Sequence, residues 1–211
     1  MVIGKEKEIM RKVQDFYFNK AKKENYPARS VYKLEEVQKK QRILRPGQRV
    51  LDLGCHPGSW SLYAAQVVGI KGVVVGVDLQ PTDLPPQKGH AEIHWLCYDV
   101  FAEGLVPELR KSWPGFHVLL SDMAPRTTGS QFADHQQSMR LVRRAMEIAG
   151  DLLHENGAFY CKAFQGSDFP AVQRECQALF REVKVVKPDS SRKESREVFL
   201  LGRGFIPASA R

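Results

Sequence analysis

Short apolar runs alternate with amphipathic stretches along most of this chain. Strand-like runs occupy residues 49–53, 72–79, 93–99, 117–122, 157–164, 182–186 and 197–202. Between them the 3.6-residue period predicts helices over 60–68, 104–111, 135–154 and 169–180. In the third of these, Met139, Val142, Met146, Ala149 and Leu153 share one face. Short apolar strands separated by helices predict an α/β fold: a seven-stranded, mostly parallel sheet with helices on both faces. The last two strand runs are joined by a turn (187–196) without a helix, which predicts an antiparallel strand at one edge. Upstream, residues 4–24 are polar and read as helical or only partly ordered. Ser30 reads as the N-cap of a second helix reaching Leu44, with Leu34, Val37 and Leu44 on one side, stopped by Arg45-Pro46-Gly47.

At 211 residues the chain suits a single domain with a full core. The pattern divides it into a basic N-terminal segment (1–28), a main domain (29–205) and a short tail (206–211). No apolar run is long enough to span a membrane, and no signal-peptide core opens the chain, so a membrane role is not expected. Cys55, Cys97, Cys161 and Cys176 form no C-x-x-C pair, and three lie in or beside strands; free thiols and a cytoplasmic setting are expected. His90 and His94 are four apart without further ligands or helical pattern, so no metal site is expected.

The net charge of +8 is unevenly placed. Residues 1–49 hold fourteen Lys/Arg against six Asp/Glu, whereas residues 50–211 hold eighteen of each. Phe16, Tyr17, Phe18, Tyr26 and Tyr32 are interleaved with these cations. A basic segment with aromatics suits phosphate backbones and stacked bases, so RNA or DNA is the expected partner.

The first strand runs into Asp52-Leu53-Gly54-Cys55-His56-Pro57-Gly58-Ser59-Trp60. Ligands of open α/β sheets bind beyond the carboxyl ends of the strands. Gly54 permits a tight turn and Gly58 a close approach to a ligand. The spacing is not that of a dinucleotide pyrophosphate cradle, and Pro57 removes a backbone donor. Asp78, Asp99 and Asp122 end three consecutive strands. Asp78 can hold a ribose diol and Asp99 an adenine amino group. Together they point to an adenosine cofactor with little or no phosphate, which S-adenosylmethionine fits.

Three charges stand at the ends or in the middle of apolar strands: Asp122, Lys162 and Glu197. Charge there is costly unless paired or used. With Lys33, in Arg29-Ser30-Val31-Tyr32-Lys33-Leu34, they would form a site of two cations and two anions able to strip a proton from a hydroxyl.

Five segments carry a resemblance. They are Arg29 to Leu34, Val50 to Trp60, Ser121 to Pro125, Lys162 to Gly166, and Lys187-Pro188-Asp189-Ser190-Ser191-Arg192 running on to Ser195-Arg196-Glu197-Val198. In these the chain resembles the FtsJ/RrmJ family of ribosomal RNA 2′-O-methyltransferases over residues 16–205. The resemblance is to the bacterial members that methylate a uridine ribose in 23S-type RNA of the large subunit. It implies a Rossmann-like S-adenosylmethionine-dependent methyltransferase fold. It also implies a catalytic Lys33-Asp122-Lys162-Glu197 tetrad, and cofactor contacts at Gly54, Gly58, Ser59, Trp60, Asp78, Asp99 and Asp122. Transfer RNA and messenger-cap methylation use a similar tetrad, and a non-catalytic assembly factor could keep the fold.

The resemblance lets roles be assigned within the tetrad. Burial and a neighbouring cation make a lysine a better base, which assigns proton removal to Lys162. Lys33 would orient the hydroxyl, Asp122 would align both lysines with the cofactor, and Glu197 would hold a lysine. Lys20, Lys22, Lys23, Lys187, Arg192, Lys193 and Arg196 would grip RNA, and a monomer is expected. The chain departs from the family in Cys55-His56, where two small residues are usual, and in Ser59, where a second glycine is usual. His56 is expected to lie against the methionine end of the cofactor.

Overall fold

The computed structural model describes residues 16–126, 128–192 and 194–210. Helix α1 covers 16–23, followed by α2 (Val31–Gln41), β1 (Arg49–Leu53), α3 (Ser59–Val68), β2 (Val73–Asp78) and β3 (Glu92–Cys97). Then come α4 (Leu105–Ser112), β4 (Phe116–Ser121), α5 (Gln131–Leu152), β5 (Leu153–Phe164), α6 (Phe169–Gln177), β6 (Phe180–Val186) and β7 (Glu197–Phe205). Among the described residues no helix is long and apolar enough to cross a membrane.

The sheet runs β3-β2-β1-β4-β5-β7-β6. Strands β1 to β5 pair in parallel, and β7 pairs antiparallel with both β5 and β6. The expected antiparallel strand exists, but it is not at the edge. The final strand inserts between β5 and β6, which leaves β6 outermost. Burial explains the difference: β7 is nearly continuous apolar sequence buried along most of its length, whereas β6 (FREVKVV) carries charges and is exposed over most of its length. A strand buried on both faces belongs inside a sheet, and a charged one such as β6, with Arg181, Glu182 and Lys184 exposed, blunts an edge.

Strand periodicity divides the core between the two faces of the sheet. Leu51, Leu53, Val75 and Val77 pack with α4, α5 and α6 on one face. Val50, Val74, Val118 and Leu120 pack with α2 and α3 on the other, joined by Trp60, Tyr160 and Phe199. Helix α1 docks through Ala21 onto Val31 and Tyr32, flanked by Tyr17, Tyr26 and Tyr63.

Local expectations change at α2 and α5. Ser30 stands at the N-cap of α2, but its side chain makes no cap bond; its carbonyl instead accepts Trp60 Nε1–H at 2.8 Å. Helix α2 stops at Gln41 because Arg42 turns left-handed (φ 50°), ahead of the Arg45-Pro46-Gly47 stop. Ser130 caps α5, accepting Ala133 N–H, so that helix starts earlier than its apolar period. Leu153 already belongs to β5.

Parallel strands β1 to β5 carry their carboxyl ends to one rim of the sheet. Because β7 runs the other way, its first residue reaches the same rim: Phe164 at the end of β5 pairs with Glu197 at the start of β7. Strand β1 lies between β2 and β4, so the chain order reverses there and a crevice opens beyond its end.

Candidate active site

The four dispersed charges meet at this rim. Lys33 comes from the first turn of α2, Asp122 directly follows β4, Lys162 lies near the end of β5, and Glu197 opens β7. Lys162 Nζ donates to the Asp122 carbonyl at 2.5 Å and lies 2.9 Å from Asp122 Oδ1. Lys33 Nζ donates to a Glu197 carboxylate oxygen at 2.8 Å and sits 3.9 Å from the same Asp122 Oδ1. One Asp122 oxygen thus faces both lysines, and each cation has an anion beside it. The side chain of Lys162 is 8% exposed and those of Lys33, Asp122 and Glu197 are 15%, 17% and 11% exposed. The quartet is sheltered yet open enough for a hydroxyl to enter.

Several neighbours that sequence reading passed over hold this quartet. Ser191 Oγ donates to Glu197 Oε1 at 2.9 Å. Glu36, one α2 turn beyond Lys33, accepts the backbone N–H groups of Asp189 and Ser190 at 2.7 and 2.9 Å, which fastens the β6–β7 loop to α2. Tyr160 donates to the Lys33 carbonyl at 3.3 Å and stacks on Phe199, whose ring lies 5.6 Å from Lys33 Nζ. These contacts join loops remote in sequence, and no local spacing signals them.

Asp52 was the residue most open to detection. It is fully buried in the middle of β1, where its sequence reads RVLDL. Ser61 Oγ donates to Oδ2 at 2.6 Å, and Oδ1 has no hydrogen-bond partner among the described residues. Burial pushes the carboxyl up to about 7, assisted by Asp122 and Asp78 on either side. The cost of a charge in an apolar strand, which singled out Lys162, applies with equal force to Asp52.

The predicted cofactor residues divide into two groups. Gly54, Gly58, Asp78, Asp99 and Asp122 line the crevice beyond β1 to β4. Gly54 has φ +77°, and a Cβ there would meet Met123 at 2.6 Å. Gly58 has φ +106°, and a Cβ would strike Leu84 at 2.6 Å, on the 79–87 segment that closes over the loop. Asp78 accepts His56 N–H and Gln80 N–H, one on each oxygen, which leaves each oxygen a second lone pair. Asp99 accepts Phe101 N–H on Oδ1, and its Oδ2 accepts nothing within the described residues. Leu79, directly after Asp78, is an exposed apolar side chain. A diol acceptor and an amine acceptor at adjacent strand ends, without a phosphate cradle, fit the adenosine of S-adenosylmethionine.

Ser59 and Trp60 turn away from the crevice. Ser59 is 2% exposed, and its Oγ accepts Ala28 N–H at 2.7 Å. Trp60 is 3% exposed, stacks on Tyr160, and donates Nε1–H to Ser30. Their side chains brace the start of α2, so only their backbones can face a cofactor. His56 Nδ1 is 3.2 Å from Thr82 Oγ1, which joins the ring to the segment covering the loop. Cys55 fills the space beside Gly76 and is buried; burial raises its thiol and those of Cys161 and Cys176 well above the usual range. All four cysteines are free. Among the described residues no three His, Cys, Asp or Glu side chains cluster to hold a metal.

The basic residues surround this rim unevenly. Arg29 is half-buried and has no side-chain partner among the described residues. Burial, and then the like charge of Arg192, pull its guanidinium below its ordinary value, with Glu197 opposing them. Lys20 is engaged by Glu24 and Glu35 and lies 4.2 Å over the Tyr32 ring, so it is a weaker candidate for RNA than expected. Lys22 sits 5.0 Å over Phe18, and Lys23 is exposed. Lys187 donates to the Ser195 carbonyl, Arg196 is exposed, and Lys193 lies outside the described residues.

Comparison with known proteins places these features in a lineage. A family model described as FtsJ-like methyltransferase matches residues 26–205. The chain is 50% identical over 196 residues to the ribosomal RNA large subunit methyltransferase E of Desulfotalea psychrophila, covering 93% of this chain and 98% of that protein. It is 46% identical to the protein of the same name in Desulfatibacillum aliphaticivorans, over 90% of this chain and 89% of that one. A crystal structure of a ribosomal RNA methyltransferase from Plasmodium falciparum superimposes with a TM-score of 0.74 at 23% identity, covering 86% of this chain and all of that one; this likeness carries the fold.

Proposed function

This chain belongs to the FtsJ-like methyltransferase family, and from that premise we propose how its residues divide the work of ribose methylation. The protein is an S-adenosylmethionine-dependent enzyme that methylates a ribose 2′-hydroxyl of ribosomal RNA. We assign it a uridine of the large-subunit RNA, a monomeric state and a cytoplasmic place of action. The name borne by its half-identical relative and the four free thiols support this finer reading.

The cofactor supplies an activated methyl group on sulfur when bound. Asp78 would hold its ribose hydroxyls and Asp99 its adenine amino group, with Gly54 and Gly58 shaping the loop around the remainder. The protein must then bring the 2′-oxygen into line and remove its proton. We assign proton removal to Lys162. Its Nζ faces two oxygens of Asp122, and an amine turned that way retains one lone pair for a substrate hydroxyl. Lys33, held by Glu197, donates to the oxygen as negative charge develops there. Asp122 aligns both lysines from one carboxylate.

The observation that supports this division is that Lys33 and Lys162 meet at one Asp122 oxygen, with Glu197 holding Lys33 from the other side. RNA would be gripped by the guanidiniums of Arg29 and Arg192. Arg29 feels the like charge of Arg192, a repulsion that a phosphodiester would relieve. The deciding experiment maps ribose methylation across ribosomal RNA from cells with and without the protein, followed by transfer of labelled methyl to the mapped fragment. A single lost 2′-O-methyl in large-subunit RNA, restored by the purified protein, is expected. An unchanged map would overturn the assignment.

A further inference from the structure

We infer that Ser59 is a positioning residue that couples the cofactor loop to the RNA-facing start of α2, making cofactor and RNA binding cooperative. The inference rests on the RNA-methyltransferase reading and deepens it. The Ser59 side chain is neither exposed nor aimed at the crevice: it is 2% exposed and accepts Ala28 N–H at 2.7 Å. The next residue, Trp60, donates Nε1–H to the Ser30 carbonyl at 2.8 Å. Consecutive residues of the first α3 turn therefore grip the chain on both sides of Arg29. Lys33 follows one helical turn later, with its Nζ on Glu197.

The other end of this linkage is the loop itself. Gly58, adjacent to Ser59, has the left-handed φ of +106° and sits at the crevice beneath Leu84. A loop settling around a cofactor would fix Ser59 Oγ, and through Ala28 it would fix Arg29 and Lys33 in the positions that meet RNA. A glycine at 59 leaves Ala28 N–H without its acceptor. The Trp60 anchor then holds Ser30 alone, and residues 28–29 gain freedom that RNA must remove on binding. Linkage is reciprocal, so RNA must tighten the cofactor by the factor by which the cofactor tightens RNA.

The test measures binding of S-adenosylhomocysteine and of a large-subunit RNA fragment by calorimetry, each alone and in the presence of the other. Wild type is expected to show a coupling factor of about fivefold or more. Ser59→Ala should bring that factor close to one and leave S-adenosylhomocysteine affinity in the absence of RNA unchanged. Ala28→Pro deletes the same hydrogen bond from the donor side without touching the loop, and should do the same. Amide exchange adds a readout on the chain itself: Ala28 N–H should lose protection in Ser59→Ala. Retained coupling in either variant overturns the inference. So does a loss of cofactor affinity without RNA in Ser59→Ala, which would make Ser59 a cofactor contact. If wild type binds cofactor but no RNA fragment, the RNA reading fails together with the inference; if it binds both independently, only the inference fails.

Discussion

Lys162 reaches from β5 to the residue following β4, placing its Nζ 2.5 Å from the Asp122 carbonyl and 2.9 Å from the Asp122 carboxylate. The lysine and its aligning partner therefore move as a unit with the sheet. Lys162→Ala should lower single-turnover methyl transfer by about a hundredfold or more, the usual effect of losing a positioned proton acceptor. Cofactor affinity should change far less than turnover, since Lys162 meets the residues assigned to the cofactor only through Asp122. Near wild-type turnover at saturating cofactor would remove Lys162 from this role.

Glu197 acts one step further from the chemistry, holding Lys33 at 2.8 Å and accepting the Ser191 hydroxyl. Glu197→Gln keeps one acceptor oxygen for Lys33 while its amide N–H donates to Ser191 Oγ, and should cost about threefold in kcat. Glu197→Ala leaves Lys33 only the Asp122 oxygen 3.9 Å away and should cost about tenfold, the scale of one hydrogen bond to a charged group. An effect of Glu197→Ala equal to that of Lys162→Ala would contradict this ranking.

The buried carboxyl of Asp52 sets a pH dependence of stability. Its pKa rises from 3.8 to about 7 on folding, so between these values the native state holds a proton that the unfolded chain has lost. Stability from this group is fully present below about pH 4 and declines as pH rises toward 7. Asp52→Asn should flatten that slope and raise the melting temperature at pH 8. Superimposable stability–pH curves for the two proteins would show that Asp52 is ionised in the fold.

At the opposite end of the sheet the sign reverses. Burial lowers both His117 and His154, aided at His117 by His154 and then Arg49, and at His154 by Arg49. Arg49 N–H donates to His117 Nδ1, which requires the neutral ring. Stability from the pair is present above the ordinary histidine range and is lost as pH falls through it. His154→Gln should reduce loss of melting temperature between about pH 7 and 5. An unchanged acid limb would exclude the pair as its source.

Arg29 and Arg192 govern RNA affinity through phosphate. Arg29→Ala and Arg192→Ala should each weaken RNA binding and reduce the slope of log affinity against log salt by about one. Cofactor affinity should stay constant. A slope unchanged in both variants would place the phosphate contacts elsewhere.

How much of this was readable beforehand follows from what kind of signal each feature leaves. Strand and helix identities were legible because burial imposes periods of 2 and 3.6 on the sequence. The placement of β7 was not: a turn between two strands announces antiparallel pairing but not which strand is inner, and that depended on the difference in charge between β6 and β7. Asp122, Lys162 and Glu197 were legible because charge in or beside an apolar strand is conspicuous, whereas Lys33, on a helix, stood out only through its motif. Ser59 and Trp60 were assigned to the cofactor by motif position, but side-chain direction at the start of α3 sends them to Ala28 and Ser30. Glu36 and Ser191 left no signal, because their partners are set by tertiary contact.

The Lys33–Glu197 bond joins residues 164 positions apart. Lys33 emerges early in synthesis, whereas Glu197 opens the last strand, and β7 must slot between two strands already made. A nascent chain can therefore fold its cofactor crevice, built from β1 to β4, before its catalytic quartet is complete. The inserted strand thus ties the two ends of the fold together: without β7, Lys33 loses its anchor.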